Sequence, residues 1–345
     1  MTCVQLIVST DTTEVEWDSF VERHPDASGY HLWRWRRVME RAFGHRTVYL
    51  AARRDDDVVG VLPAVMIKSR LFGRSLVSLP FLNYGGVVAS DAEVARLLLD
   101  HAASVGSREG ASHFELRHLV QRFTDLPVKR HKVTMRLRLC SSETDQWAHI
   151  DRKVRNHIRK AQKNNLTGET GGRELLGDFY AVFAHNMRDL GTPVYGRGFF
   201  EEVFEQFPTA ARVFVVRHEG SAVAAAIGYT FRDTIEIPWA SSLKAYRPLC
   251  ANTLLYWHAM QHAIANGLAT FDFGRSTPGD GPFHFKSQWG AEPSPLAWEY
   301  RLFKGERLPD QSPSNPKFRA AIAMWKRLPV PVATWLGPAI VRSIP

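Results

Sequence analysis

The sequence predicts an α/β protein of α+β type, in which one run of elements occurs twice and each run forms a mixed sheet flanked by helices. Three observations predict it. TVYLAAR with VVGVLPAVMI in the first half, and RVFVVRH with SAVAAAIGYT in the second, read as strand pairs joined by tight turns at 54–57 and 218–220. A further strand follows each hairpin, SLVSL in one case and TIEIPWASS in the other. A helix, a glycine and a last strand then close each run, SHFELRHL in the first and ATFDFGR in the second. The two runs are about 160 residues apart and match in element order, not in residue identity.

Taken in order, Thr12 or Thr13 caps a short helix through Trp17 and Phe20, and a second helix runs through Trp35, Val38 and Met39. After the first hairpin and SLVSL, a helix over 91–107 carries Val94, Leu98 and Ala102 on one side. KVTMRLRL alternates Val133, Met135 and Leu137 with Thr134, Arg136 and Arg138, the pattern of a half-buried strand that closes the first half. DRKVRNHIRKAQKNN is the most charged helix of the chain. Val154, Ile158 and Ala161 form its narrow apolar stripe, among Arg152, Lys153, Arg155, Arg159, Lys160 and Lys163. A long helix ends at Gly191, and the loop GTPVYGRG leads into the helix FFEEVFEQF. A helix over 251–265 ends at Asn266-Gly267 and returns to the strand at 270–273. That strand breaks at Gly274 into a loop, and FHFKSQWG is expected to resume as a closing hairpin.

The expected organisation is a first domain over 1–143, a second over 144–304 that begins with the basic helix at 151–165, and a tail over 305–345. Pro309, Pro313, Pro316, Pro329, Pro331, Pro338 and Pro345 punctuate the tail, whose NPKFRAAIAMWKRL and ATWLGPAIVRSI combine apolar faces with cations. It reads as an amphipathic segment lying on a surface, either a membrane or the protein's own.

At 345 residues, 45% hydrophobic and 23% charged, the chain has the composition of a globular protein with room for two cores. Its net charge of +9 favours an anionic partner. Cys3, Cys140 and Cys250 are isolated, so no disulfide framework or zinc site follows and a reducing cytoplasm is expected. No basic segment precedes an apolar run at the N-terminus, and no apolar stretch approaches the length of about 18 residues that a membrane span needs. Gly-x-Ser-x-Gly, Walker and Gly-x-Gly-x-x-Gly motifs are absent, which removes support for the corresponding hydrolases, NTPases and dehydrogenases. His258 and His262 lie four apart on a helix without a third ligand and read as a packed pair, so no metal is expected.

The stretch 269–300 concentrates acid, base, glycine and aromatics at a strand end, where α/β proteins tend to place their sites. The basic helix is either a solvated face or a phosphate site. Six cations opposed by Asp151 alone repel one another unless an anion lies near, and Arg offers it bidentate donors.

The hairpin–strand–helix–strand unit resembles that of GNAT acyltransferases. Two such units, KVRNHIRKA, NMRDLGTPVYGRGFF and the FK-x-x-W-G around Phe285-Lys286 together resemble the FemAB family over about residues 15–302. Within it they look most like the FemAB-like proteins associated with exosortase and PEP-CTERM exopolysaccharide clusters. The resemblance implies a tandem duplication of two GNAT-like domains. It also implies transfer of an acyl or aminoacyl group to an amine of a cell-envelope peptide, amino sugar or exopolysaccharide precursor. The implied donor is aminoacyl-tRNA or acyl-CoA, with no tightly bound cofactor and no DNA partner. The implied place is the cytoplasm, with peripheral contact at the inner membrane left open. The glycine-rich loop by which acetyl-CoA enzymes hold pyrophosphate falls on residues 247–252, RPLCAN, which lacks both central glycines.

On this reading Lys286 neutralises the oxyanion or the leaving oxygen. Asp272 either takes or orients the proton of the attacking amine, or serves as a structural partner of Arg275. Arg155, Arg159 and Lys160 hold phosphates, and Tyr195, Trp239 and Phe285 border the substrate. Two other readings stay open: an acetyl- or acyl-CoA-dependent N-acetyltransferase, and a non-catalytic module that binds anionic glycolipid or RNA.

Overall fold

The computed structural model describes residues 6–69, 72–305, 307–309 and 316–344, without the side chains of residues 316–318. Cys3, Pro313, Pro345 and the side chains of Pro316 and Lys317 therefore lie outside the described residues. The chain divides into two compact units, residues 1–131 with 295–310 and 342–345, and residues 132–294 with 311–341.

The first unit begins with β1 (Leu6–Ser9), α1 (Glu14–Arg23) and α2 (Trp35–Phe43). Thr13 caps α1 in a reciprocal box with Glu16. β2 (Arg46–Arg54), β3 (Asp57–Ser69) and β4 (Gly73–Val77) form an antiparallel meander, and β5 (Val88–Ala89) joins β3. α3 (Ala92–Arg108), capped by the Asp91 side chain on the Val94 amide, crosses over to β6 (His113–His118), which runs parallel to β4. β7 is the short strand Val128–Lys129. Leu50, Leu62, Leu98, Leu99, Phe114 and Leu116 meet in the core between α3 and the sheet.

The second unit opens with β8 (Val133–Arg138), α4 (Glu143–His149), α5 (Arg152–Lys163) and β9 (Thr167–Gly171). α6 (Leu176–Leu190) ends at Gly191 in the left-handed conformation that glycine tolerates, and α7 (Arg197–Gln206) follows. β10 (Ala211–His218) and β11 (Ser221–Phe231) are joined by Glu219 and Gly220, both at positive φ, the geometry that suits a two-residue hairpin. β12 (Thr234–Ser242) continues the meander, and α8 (Ala251–Ala265) crosses over to β13 (Thr270–Ser276), parallel to β12. α9 (Gly281–Ser287), β14 (Glu292–Pro295), β15 (Ala297–Leu302), α10 (Pro316–Trp325) and α11 (Val330–Val341) complete the chain. The duplicated plan is thus the same in both units: an antiparallel meander, a helix, and a parallel strand.

Three features differ from the sequence reading. Val133–Arg138 closes the first half in chain order, yet it hydrogen-bonds to β13 in the second sheet, whose order is β14-β8-β13-β12-β11-β10-β9. Conversely β15, late in the chain, pairs with β6 in the first sheet, ordered β1-β2-β3-β4-β6-β15-β7. Alternation reveals which face of a strand is buried but not which neighbour it pairs with, so chain order alone misassigned these partners. The segment around Phe283, Phe285 and Lys286 is the helix α9 rather than a hairpin strand, because Pro282 sits in its first turn and His284 and Gln288 bond back along it.

The strand exchange carries a testable consequence. A fragment of residues 1–143 retains β8 but lacks β15, which leaves the β6 edge unpaired and removes Glu299. That carboxylate accepts the amides of Arg122 and Phe123 and bonds His118. The fragment is expected to lack a cooperative urea transition, whereas the full chain shows one. Cooperative unfolding of the fragment would overturn the exchange.

Candidate active site

β12 and β13 pair over only three positions, Thr234↔Thr270, Ile235↔Phe271 and Glu236↔Asp272. Beyond Glu236 and Asp272 no further residues of the two strands pair, so the sheet forks. Irregularities on both sides of the fork reinforce it. β12 shifts register opposite Ile227–Tyr229, and β13 shifts between Asp272 and Arg275, where Gly274 has φ 71°. Ile235, Ile237, Phe271 and Phe273 belong to the core beneath α8, so Glu236 and Asp272 lie on the opposite face of the sheet.

In the first unit the equivalent place is closed. Leu76↔Phe114 and Val77↔Glu115 are the paired positions, after which the chain itself continues along β6. Ser78 donates its amide to the Glu115 carbonyl and accepts the Arg117 amide on its hydroxyl, and the Gly85 amide reaches the Arg117 carbonyl at 2.9 Å. A Cβ on Gly86 would lie 2.2 Å from the His118 ring, so only glycine lets this plug seat. Glu115 occupies the position of Asp272. Burial would raise its pKa, but the adjacent Arg117 outweighs that and lowers it.

At the fork, Asp272 is 1% exposed and its carboxylate accepts hydrogen bonds from Thr134, Gly274 and Arg136. Thr134 Oγ1 and the Gly274 amide reach Oδ1, each at 2.8 Å, and Arg136 Nε reaches Oδ2 at 2.9 Å. Arg136, which the sequence reading did not consider, is its register partner across the sheet and bonds it directly. Lys286 is 6% exposed, and its ammonium donates to the carbonyls of Gly274 at 3.0 Å and Arg275 at 3.1 Å. Burial lowers its pKa to about 8, Asp272 and Glu236 oppose that shift, and Arg275 adds to it. Lys132 donates to Thr277 Oγ1 at 2.6 Å, and its pKa is lowered by burial and by Arg275. The fork thus carries Glu236, Asp272, Arg275, Lys132 and Lys286 around the end of one strand. The buried Ser276 hydroxyl and Trp289 indole N–H have no protein partner among the described residues.

Helix α8 starts beside this strand pair. Cys250 occupies the left-handed region, φ 63°, directly before Ala251. The backbone therefore makes the turn that glycine would make in the RPLCAN segment. Among the described residues no acceptor meets the amides of Ala251 and Asn252, which suits a phosphate oxygen.

The other sequence candidates sit elsewhere in the second unit. Phe285 is half-buried against Tyr256 and Trp289, beside Lys286 on α9. Tyr195 and the buried Trp239 belong to an aromatic cluster with Phe199 and Phe200, which meet the Trp239 ring edge-on at 5.3 and 5.4 Å. Arg155, Arg159 and Lys160 lie on α5, which packs against α8 through Val154, Ile158 and Ala161. Arg159 lies over the Trp147 ring at 5.3 Å. Among the described residues none of the α5 cations has a carboxylate partner. His258 bonds the Thr170 hydroxyl at 2.9 Å, as a packed residue does.

Sequence reasoning passed over Glu236, Lys132, Thr134 and Arg136. A signal existed for three of them: each is a polar residue at the outward phase of an alternating strand. What the sequence lacks is the register that brings them together. Asp272→Asn would turn an amide N–H toward Arg136 Nε. It should lower the unfolding free energy by about 1–3 kcal/mol in urea titrations, kept modest by the solvent around Arg136. Unchanged stability would remove Asp272 as the joint of the fork.

Comparisons with known proteins bear on the fold. Residues 151–287 match the acetyltransferase (GNAT) domain family. No curated protein matches the sequence. The structure is similar to that of FemX, with 16% identity and a TM-score of 0.64 over 86% of this chain and 96% of that one. It is similar to the C-terminal domain of a putative lysylphosphatidylglycerol synthetase from Agrobacterium fabrum, with 14% identity and a TM-score of 0.57 over 84% and 92%. A tandem GNAT protein from the clavulanic acid biosynthesis pathway shares 12% identity and a TM-score of 0.55 over 88% and 100%. The chain therefore carries the GNAT fold twice, and its second half contains a GNAT-type acyltransferase domain.

Proposed function

We propose that this protein is an N-acyltransferase. It moves an acyl or aminoacyl group from a phosphate-bearing donor to an amine of a cell-envelope peptide, amino sugar or exopolysaccharide precursor. The observation that carries the reading is the fork after Glu236 and Asp272, with a buried lysine ammonium at its mouth. The first unit, plugged at the same place, serves the reaction in another capacity.

The amine nitrogen attacks the acyl carbonyl carbon, a C–N bond forms, and the carbonyl oxygen becomes an oxyanion. Collapse breaks the C–O bond of an aminoacyl ester or the C–S bond of a thioester. Two of the three Lys286 ammonium hydrogens are held by main-chain carbonyls, which aims the third without cost at the moment of reaction. That proton stabilises the oxyanion and passes to the departing oxygen or sulfur as the bond breaks. Glu236 receives the amine proton. Asp272, with its lone pairs engaged by three donors, positions Arg136 and the Gly274 turn rather than exchanging protons.

The uncompensated cations of α5 favour an extended polyanion, and charged tRNA is the donor they fit. One observation favours the second reading, an acyl-CoA donor: the left-handed Cys250 opens the first amides of α8 to a pyrophosphate. Offering the protein acetyl-CoA and charged tRNA in turn, with mass-spectrometric readout of an acylated amine, separates the two. Binding of either with no transfer to any amine supports the glycolipid- or RNA-binding alternative instead.

Lys286→Met, checked by circular dichroism, should lower turnover about a hundredfold, since one lost oxyanion donor costs ~3 kcal/mol. The wild-type rate should fall as pH rises through about 8, where Lys286 loses its charge. Burial favours the neutral amine, so the folded chain holds fewer protons than the unfolded one between about 8 and the ordinary lysine value of 10.5, and stability should rise with pH across that window. Turnover unaffected by the substitution would discard the assignment. Arg155→Glu with Lys160→Glu should weaken donor binding at low salt and flatten its salt dependence. Wild-type affinity at every salt concentration would return α5 to a solvated face.

A further inference from the structure

Helix α11 has an unusual distribution of side chains. From Val330 to Val341 it carries no charge, and its one hydroxyl, on Thr334, donates to the Val330 carbonyl 2.8 Å away. A helix apolar all round is ordinarily buried all round. Here only one side is covered. Ala333, Gly337 and Val341 are buried, and α11 packs against α6. A Cβ on Gly337 would lie 2.8 Å from the Val194 amide nitrogen, so that glycine sets the close approach. The strap alternative of the sequence reading therefore accounts for this inner side.

The outer side is uncovered. Val332 and Trp335 are exposed, Trp335 at 79%, with Pro331 and Ala339 exposed on the same stretch. Positions 332, 335 and 339 share one helical face. The indole borders an open apolar groove with Tyr180, Ala181 and Ala184 of α6. α10 seats on the end of α6, where Gly191 faces Ile322, and Leu190 and Met324 (67%) are exposed there as well. Lys326 and Arg327 are exposed in the link between the two helices. From 316 to 342 the chain holds five cations and no Asp or Glu.

We propose that α10 and α11 form an in-plane anchor by which this protein sits on an anionic lipid bilayer. Trp335 and Val332 enter the headgroup–acyl boundary, while Lys326 and Arg327 meet lipid phosphates. At about 1.5 Å per residue α11 is roughly 18 Å long, well short of the ~30 Å hydrocarbon core, so it lies in the plane and does not cross. No helix among the described residues is long and apolar enough to cross a membrane. The absence of acids argues for a lipid partner over a protein one. A protein interface matches both signs of charge along its rim, whereas an anionic bilayer calls for cations alone beside an aromatic-bearing apolar strip. This proposal is independent of the acyl-transfer reading, since its test measures binding and not turnover.

The experiment is sedimentation of the full chain with vesicles of phosphatidylcholine alone and of phosphatidylcholine with phosphatidylglycerol. Wild-type protein is expected to partition onto the anionic vesicles and only weakly onto the neutral ones. Trp335→Asp should reduce partitioning at least tenfold, and Lys326→Glu with Arg327→Glu should do the same at low salt. Both sites are exposed, so urea midpoints should match wild type, and the Arg155→Glu, Lys160→Glu variant controls for attraction by α5. The proposal is overturned if wild type ignores anionic vesicles or if Trp335→Asp binds them as wild type does. It is also overturned if the surface instead drives concentration-dependent dimerisation that Trp335→Asp abolishes.

Discussion

The carboxylate of Asp272 is the joint on which the second unit depends. Through Oδ1 it holds the Gly274 turn, and through Thr134 and Arg136 it secures β8, a strand recruited from before the basic helix. The turn in turn presents the two carbonyls that seat the Lys286 ammonium. A buried acid with three donors and a buried lysine with two acceptors are each tolerable only because the other arrangement exists. Burial of either without its partners would carry the full penalty of an unpaired polar group.

The two halves show what one topology can be made to do. Both end their crossover on a strand that runs parallel to the last strand of the meander, and both place an acid at the last paired position. In the first, Glu115 turns to Arg117 within its own strand, and residues 78–87 return to cover the rest of β6. In the second, nothing returns, and the fork stays open beside the start of α8. Duplication therefore yields one half that resembles a site and another that is filled by its own backbone. The second sheet is built from one continuous stretch of chain, Val133–Pro295, whereas the first is completed only when β15 returns to pair with β6.

Charge is spread unevenly over the surface. A number of cations outside α5 and the tail are engaged by carboxylates, as Arg96 is by Asp125 and Arg217 by Glu169 and Asp178. The cations of α5 and of the tail have no such partners among the described residues. Like charges left together cost stability unless a counter-ion supplies the compensation, which suits these two surfaces to an anionic partner.

Much of this was legible in the sequence. Alternation in TVYLAAR, SAVAAAIGYT and TIEIPWASS, the cap at Thr12 or Thr13, and the stop at Asn266-Gly267 report local preferences, and local preferences set these elements. The doubling of the plan followed from their order. Lys286 and Asp272 stood out because charge seldom interrupts so aromatic a stretch. The role of Glu236 did not, since an acid in an alternating strand reads as solvent-facing until its neighbour is known. Only tertiary structure decided that KVTMRLRL pairs with β13, that Phe285-Lys286 rides on a helix, and that Asp272 meets Arg136 across the sheet. The physical reason is common to all three. Strand register and the direction of a buried side chain are set by contacts between residues far apart in the chain, and no local pattern encodes which distant partner will be there.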